Sequence, residues 1–177
     1  VYASLTGDHG GFRLSPVFGE HMVFQQKRPV EIYGVANSND TIRVTFHTHT
    51  SEIATGSDGR WKITFPPLPS GGPYPLQIRV NGALIVDWHD LLVGEVWLCS
   101  GQSNMELPVR RVRPLYEAEI AAAENNSIRS FTVPKTFVFT GPQSDLPGGK
   151  WSAANPETVL DFSAAAWFFA REINQTY

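Results

Sequence analysis

The feature that most constrains the fold is a series of short segments in which apolar and polar residues alternate. Residues 41–47 show the alternation most clearly. Ile42, Val44 and Phe46 are apolar, and the residues between them are polar. A period of two places successive side chains on opposite faces, which is typical of a half-buried β-strand. Similar segments recur at a spacing of roughly ten residues, so residues 14–88 predict an antiparallel β-sandwich.

Turn sequences separate these segments. Residues 57–59 (Ser-Asp-Gly) and 81–82 (Asn-Gly) are typical of tight hairpin turns. Residues 66–73 contain four prolines and two glycines and predict a rigid connection. No stretch with helical periodicity occurs among them, which favours an all-β arrangement for this part of the chain.

A second region begins after Trp88, where the alternation ends. Residues 91–99 are almost continuously apolar, as expected of a strand that is buried on both faces of a parallel sheet. Residues 115–124 predict a short amphipathic helix. Residues 128–133 predict a further strand, and residues 137–139 predict a weaker one.

The best helical pattern lies at the end of the sequence, in residues 162–173. It places four apolar residues on one face: Phe162, Ala166, Phe169 and Ile173. The region 91–177 therefore predicts the order β-α-β-loop-α. One parallel pair of strands and two helices cannot cover both faces of a sheet, so this second region is predicted to be incomplete.

Composition excludes several classes of function. The 177 residues have a formal net charge of −3 and no basic run, which argues against binding to nucleic acid or to an anionic membrane surface. No apolar stretch is long enough to span a bilayer. The single cysteine, Cys99, excludes an internal disulfide, and its apolar neighbours favour a buried packing thiol over a reactive one.

Chemistry is predicted where the apolar run ends. Gly101 allows the chain to turn sharply, and Gln102, Ser103 and Asn104 follow it. In an open α/β sheet, ligands bind at the carboxyl ends of the strands. A serine nucleophile needs a base and donors for the oxyanion, and the Ser103 backbone N–H and the amides of Gln102 or Asn104 can supply such donors. From these residues alone, a nucleophilic Ser103 and an ordinary polar turn remain alternatives.

The histidines are the candidates for the base of such a serine, and all of them precede it in the sequence: His9, His21, His47, His49 and His89. His89 lies at the junction of the two regions and is the only one predicted to come near Ser103. His47 and His49 are placed on one face of a strand, where they could hold a metal ion. No carboxylate or third ligand accompanies them, so a solvated strand edge is favoured and no metal site is predicted.

Four other charged residues have two interpretations each. Glu95 lies inside the apolar run, where a carboxylate must be paired or its pKa rises, and a structural hydrogen-bonding role is favoured over that of a catalytic acid. Arg110, Arg111 and Arg113 can bind the carboxylate of an acidic sugar, and a solvated loop is the alternative.

Residues 94–105 (Gly-Glu-Val-Trp-Leu-Cys-Ser-Gly-Gln-Ser-Asn-Met) resemble the nucleophile block of the sialate O-acetylesterases, which are carbohydrate acetylesterases of the SGNH-hydrolase superfamily. The resemblance includes further blocks at residues 21–26, 59–61, 67–74 and 158–172. In total it covers about residues 12–175.

The resemblance implies both a fold and an activity. The fold is an N-terminal, jelly-roll-like all-β sandwich over residues 1–90, followed over residues 91–177 by the beginning of an α/β/α three-layer SGNH-hydrolase domain that is incomplete in this chain. The activity is hydrolysis of acetyl esters on sugar hydroxyls, of the sialate or the xylan type, through a serine acyl-enzyme and without a cofactor. Ser103 matches the nucleophile, and the setting is expected to be extracytoplasmic.

The proton-handling residues of that family come from a later Asp-x-x-His segment. Neither this motif nor the family's later Gly-Gly-Thr block occurs in the 177 residues. We therefore expect the remainder to be a second chain, separated by a nick after about Tyr177, or this chain to be truncated; alone it is expected to be nearly inactive. The alternative function is a glycan-binding β-sandwich module whose Gln-Ser-Asn loop only hydrogen-bonds a sugar.

Overall fold

The computed structural model describes residues 11–176. His9 and most of the predicted irregular start of the chain therefore lie outside the described residues. The strands are β1 Arg13–Leu14, β2 Val23–Gln25, β3 Val30–Val35, β4 Thr41–Phe46, β5 His49–Ala54, β6 Arg60–Phe65, β7 Gly71–Val80, β8 Ala83–Gly94, β9 Asn125–Phe131 and β10 Trp151–Ala154. The α-helices are α1 Ser103–Glu106, α2 Glu117–Ala121 and α3 Ala164–Thr176. Short 3₁₀ helices occupy Val109–Arg111, Arg113–Leu115 and Thr158–Asp161.

Two sheets share the larger hydrophobic core. One has five strands in the order β2-β8-β7-β4-β5, and the other has three in the order β1-β3-β6. All neighbouring strands in them are antiparallel except β2 and β8, which are parallel. Ile32 and Ile63 of the three-stranded sheet belong to one buried cluster with Val44 and Ile78 of the five-stranded sheet. The prediction of a region rich in short strands is confirmed.

Alternation and turn residues act as the sequence predicts in this core. Ile42, Val44 and Phe46 are fully buried in β4. Burial of such side chains contributes roughly 1.5–3 kcal/mol each. Asn81 and Gly82 join β7 to β8 with φ angles of 50° and 86°. Positive φ at both central residues is what a type I′ hairpin requires, and asparagine followed by glycine tolerates it best.

Gly34 in β3 occupies a position that has no room for a side chain. A Cβ atom there would lie 2.3 Å from the carbonyl oxygen of Arg13 and 3.0 Å from the buried ring of Trp61. We expect Gly34→Ala to lower the free energy of unfolding by about 2 kcal/mol, because strand β1 must move away. Denaturant titration measures the effect. Gly19→Ala is the control, since no atom lies within 4 Å of its added Cβ; equal stability of the two variants would contradict the prediction.

The second region contains its own smaller core, but its sheet differs from the prediction. β9 pairs antiparallel with β10, a strand that was not predicted, so the predicted parallel pair is wrong. The helix predicted over residues 115–124 is present as the shorter α2. The weak strand predicted at residues 137–139 is absent. Phe137 and Phe139 there are 77% and 94% exposed, and they have no strand neighbour among the described residues.

The longest helix, α3, buries a different face from the predicted one. Ala164 and Trp167 are buried, whereas Phe169 is 40% exposed. The reason is that the helix begins at Ala164 and Phe162 precedes it with extended backbone angles (φ −69°, ψ 151°), so Phe162 does not share a helical face. Its ring instead packs against the Trp167 ring, with centroids 6.2 Å apart.

The most important difference concerns residues 91–99. Strand β8 ends at Gly94, and the chain beyond it has no regular structure until Ser103. Trp97 and Leu98 are 57% and 94% exposed, and Cys99 is an exposed free thiol. The prediction of a buried strand through Cys99 is therefore wrong here. A strand needs neighbours for its backbone groups, and no strand among residues 11–176 pairs with the chain after Gly94.

The division of the chain at residues 90 and 91 stays a prediction, as do the sandwich and the α/β/α layers. β8 runs without interruption through that position. Among residues 11–176, no helix is both long and apolar enough to cross a membrane.

Candidate functional site

Ser103 is the first residue of α1 and is exposed. The short helix forms because the amides of Met105 and Glu106 donate to the carbonyl of Gln102, at 2.9 and 3.0 Å. The N–H groups of Ser103 and Asn104 precede these bonds and have no partner within the helix. Among residues 11–176, no hydrogen bond of the Ser103 hydroxyl is found. An accessible hydroxyl thus lies beside two available backbone donors.

The end of α1 is attached to the start of α3. The Ala164 amide donates to the Leu107 carbonyl at 2.8 Å, and the Ser163 hydroxyl contacts the Met105 sulfur at 3.4 Å. Gly101 fits closely against this helix, because an added Cβ would lie 3.0 Å from the Cβ of Met105. These contacts determine where the residues after Ser103 run.

The segment that leads to Ser103 begins with hydrogen bonds to strand β2. Glu95 is exposed, not buried as the sequence predicted. Its carboxylate accepts hydrogen bonds from the side-chain amides of Gln26 and, at 3.1 Å, of Gln25. The Gln25 side-chain oxygen accepts from the Val96 N–H at 2.9 Å. The bonds from Gln26 and Gln25, with a smaller contribution from the charge of Lys27, lower the pKa of Glu95.

The structure brings no histidine among residues 11–176 into hydrogen bonding with Ser103. His89 is exposed, and its Nε2 lies 3.4 Å from the Asp87 carboxylate. His47 and His49 do not share a strand face, because β4 ends before His47 and β5 begins at His49. In the same described range no group of three potential metal-ligating side chains occurs.

A partly buried ion pair, which no pattern in the sequence predicts, joins the two regions. Asp90 Oδ1 accepts from the Arg129 guanidinium at 2.6 Å, and Asp90 Oδ2 accepts from His21 Nδ1 at 2.6 Å. The Arg129 side chain is 2% exposed. Partial burial acts to raise the pKa of Asp90, but the hydrogen bonds from Arg129 and His21 outweigh it and lower that pKa. The available signal was an arginine inside a predicted strand, since a buried arginine requires a partner.

The three arginines after α1 differ in their surroundings. Arg110 forms an ion pair with Asp161, and its Nε donates to the Leu160 carbonyl at 3.4 Å. Arg111 and Arg113 lie exposed in the two 3₁₀ helices that follow α1. Binding of an acidic sugar by these arginines stays a prediction.

No protein-family model matches this chain. Sialate O-acetylesterase from Rattus norvegicus is 28% identical over an alignment of 183 positions that covers 94% of this chain and 34% of the relative. Sialate O-acetylesterase from Homo sapiens is 28% identical over 187 residues, covering 94% and 35%. A crystal structure of a carbohydrate acetylesterase from Xanthomonas citri has a TM-score of 0.87 and 33% identity, over 93% of this chain and 37% of that one.

The chain spans about a third of the length of the curated relatives that it matches. The similarity extends along nearly all of the 177 residues and includes the Ser103 segment. The resemblance to the sialate O-acetylesterases that the sequence indicated is thereby confirmed, and a carbohydrate acetylesterase shares the fold.

Proposed function

We propose that this chain is the nucleophile-bearing part of a carbohydrate O-acetylesterase that acts through a serine acyl-enzyme. The observation that carries the proposal is the exposed Ser103 hydroxyl at the start of α1, beside the N–H groups of Ser103 and Asn104, which have no hydrogen-bond acceptor among residues 11–176. The similarity to relatives named as acetylesterases supports the choice of an acetyl ester on a sugar as substrate.

In this mechanism the Ser103 oxygen attacks the carbonyl carbon of the acetyl group. A base removes the hydroxyl proton, and the negative charge moves to the carbonyl oxygen, where the Ser103 backbone N–H and donors from Gln102 or Asn104 stabilise it. Gly101 provides the turn that exposes these groups. The intermediate collapses, the sugar leaves with the proton, and the acetyl group remains on Ser103. Water then hydrolyses this ester and releases acetate.

The base and the acid that orients it are proposed to come from a further part of the enzyme. The 177 residues contain no Asp-x-x-His segment, and the relatives are about three times as long as the matched stretch. Trp97 and Leu98, six and five residues before Ser103, are exposed apolar side chains, and we propose that another element of the enzyme covers them. In the proposed assembly this element completes the α/β/α layers that begin at residue 91 and pack beside the N-terminal sandwich.

The substrate class is an acetylated sugar, and sialate and xylan esters both fit the proposal. The exposed Arg111 and Arg113 would favour a sugar with a carboxylate. The proposal needs no metal or organic cofactor, since each step uses only the hydroxyl, a protein base, hydrogen-bond donors and water. An extracytoplasmic setting is part of the proposal and rests on the resemblance alone.

A fluorophosphonate probe tests the proposed nucleophile. In the complete protein, with the segments that supply the base, we expect the probe to modify Ser103, and peptide mass spectrometry locates the adduct. The 177-residue chain alone should react far more slowly, because no base activates the hydroxyl. Ser100→Ala is the matched control and should retain labelling. A complete protein that binds acetylated sugars without labelling at Ser103 would instead be a glycan-binding module.

A further inference from the structure

The position of Ser103 depends on a segment with little support of its own. Between Gly94, where β8 ends, and Ser103, where α1 begins, residues 95–102 are all exposed and have no regular structure. No strand in the described range pairs with them. A few side-chain contacts therefore determine the direction in which the chain approaches Ser103.

The first set of contacts comes from the end of β2. Gln25 pairs with Gly94 in the parallel register of β2 and β8, and the backbone N–H of Gln26 donates to the Gly94 carbonyl at 2.8 Å. The two glutamine side chains extend this pairing beyond the last strand residue. Both donate to the Glu95 carboxylate, and Gln25 also accepts from the Val96 N–H. Hydrogen bonds to an ionised carboxylate are about twice as strong as those between neutral groups.

The second set of contacts lies on α3. The Trp97 ring meets the Phe169 ring edge-on, with centroids 5.2 Å apart and an interplanar angle of 83°. Beyond Ser103, the Leu107 carbonyl accepts a hydrogen bond from the Ala164 N–H. Leu98 is almost fully exposed. The glutamine side chains thus orient the chain at Glu95–Val96, and further contacts hold it at Trp97 and after Ser103. Because the glutamine contacts come first after Gly94, they determine the direction in which the chain leaves β8.

We propose that Gln25 and Gln26 are positioning residues for the Ser103 nucleophile, acting through Glu95 to direct the segment that presents it. This inference rests on the proposed function. Neither glutamine reacts with substrate. Their effect is on the alignment of the Ser103 oxygen with the acetyl carbonyl, and a misplacement of about 1 Å in such a geometry can cost about a hundredfold in rate.

The test first removes one hydrogen bond in the complete enzyme and then restores it with reversed polarity. Gln25→Glu places a carboxylate against Glu95 and removes a donor. We expect kcat for p-nitrophenyl acetate and for an acetylated sugar to fall about ten- to a hundredfold, with KM within about twofold, because alignment and not binding is lost. In the double variant Gln25→Glu/Glu95→Gln, the amide at 95 donates to the carboxylate at 25, which still accepts from Val96. We expect kcat to recover to within about threefold of the parent value.

Gln77→Glu is the matched control. The Gln77 side-chain amide donates to the Asp87 carboxylate at 2.9 Å in the same five-stranded sheet, so the substitution creates the same kind of carboxylate contact away from the Ser103 segment. We expect it to leave kcat unchanged while lowering thermal stability by as much as Gln25→Glu does.

Two results would overturn the inference: equal kcat for Gln25→Glu and Gln77→Glu, or a double variant no faster than Gln25→Glu. Failure of the proposed function has a different signature, because Ser103→Ala would then retain full activity and both proposals would fall together. If Ser103 is essential but Gln25→Glu behaves like the control, only the positioning role is wrong.

Discussion

Ser103→Ala is expected to reduce acetyl-ester hydrolysis by the complete enzyme at least about a thousandfold, equivalent to about 4 kcal/mol of transition-state stabilisation. Without the hydroxyl no acyl-enzyme forms, and only binding and the oxyanion donors remain to assist direct attack by water. The ratio kcat/KM for p-nitrophenyl acetate measures the loss. A pre-steady-state burst of nitrophenol, where the parent enzyme shows one, should disappear in the variant.

The loss must come from chemistry and not from folding. The Ser103 side chain is exposed and makes no hydrogen bond among the described residues, so its removal should change the free energy of unfolding by less than about 0.5 kcal/mol. Ser100→Ala removes another exposed hydroxyl three residues earlier and should keep kcat/KM within a few-fold of the parent. Retention of more than about a tenth of the activity by Ser103→Ala would contradict the assignment of the nucleophile.

Asp90→Asn is expected to have the largest effect on stability, lowering the free energy of unfolding by about 3 kcal/mol. The change keeps the shape of the side chain but leaves the guanidinium of Arg129, which is 2% exposed, without its counter-charge. It also weakens the bond to His21. Asp90 itself is about one-third exposed, which reduces the effect relative to a fully buried pair. Denaturant titration at neutral pH measures the change.

The same pair predicts the direction of the acid sensitivity. Because folding lowers the pKa of Asp90, its ionised form stabilises the fold above the ordinary carboxyl pKa of about 4, and this contribution is lost as pH falls through the lower folded value. Asp90→Asn should lack that part of the acid dependence. Asp87→Asn, on the same strand and exposed, is the control and should cost less than about 1 kcal/mol. Equal destabilisation by both variants would contradict a structural role for the Arg129 pair.

Local sequence patterns predict the β-rich part of the molecule well because the forces involved are local. The alternation around Val44 places one face of β4 in the core, and Asn81-Gly82 suits the backbone angles of a two-residue turn. Neither statement depends on distant parts of the chain. The residues that form the Ser103 segment were also identified from the sequence, because a glycine and three polar residues interrupt an apolar run.

Patterns were misleading where the environment of a side chain is decided by distant residues. Glu95 and Cys99 belong to an apolar run, and the run predicted burial for both. Both are exposed, because no neighbouring strand covers the chain after Gly94 in the described structure. The α3 face was misjudged for a related reason: periodicity indicates that a helix has an apolar side, and the start of the helix decides which residues share it.

By itself, the sequence determined most strands of the larger core, several of their turns, the choice of Ser103 as the candidate nucleophile, and the resemblance to the sialate O-acetylesterases. These follow from short-range patterns of polarity and residue type. Only the tertiary structure decided that β8 stops at Gly94, that Gln25 and Gln26 hold Glu95, and that Arg129 and His21 meet at Asp90. Such contacts join residues about 70 or 40 positions apart, and no local propensity specifies which distant groups will meet.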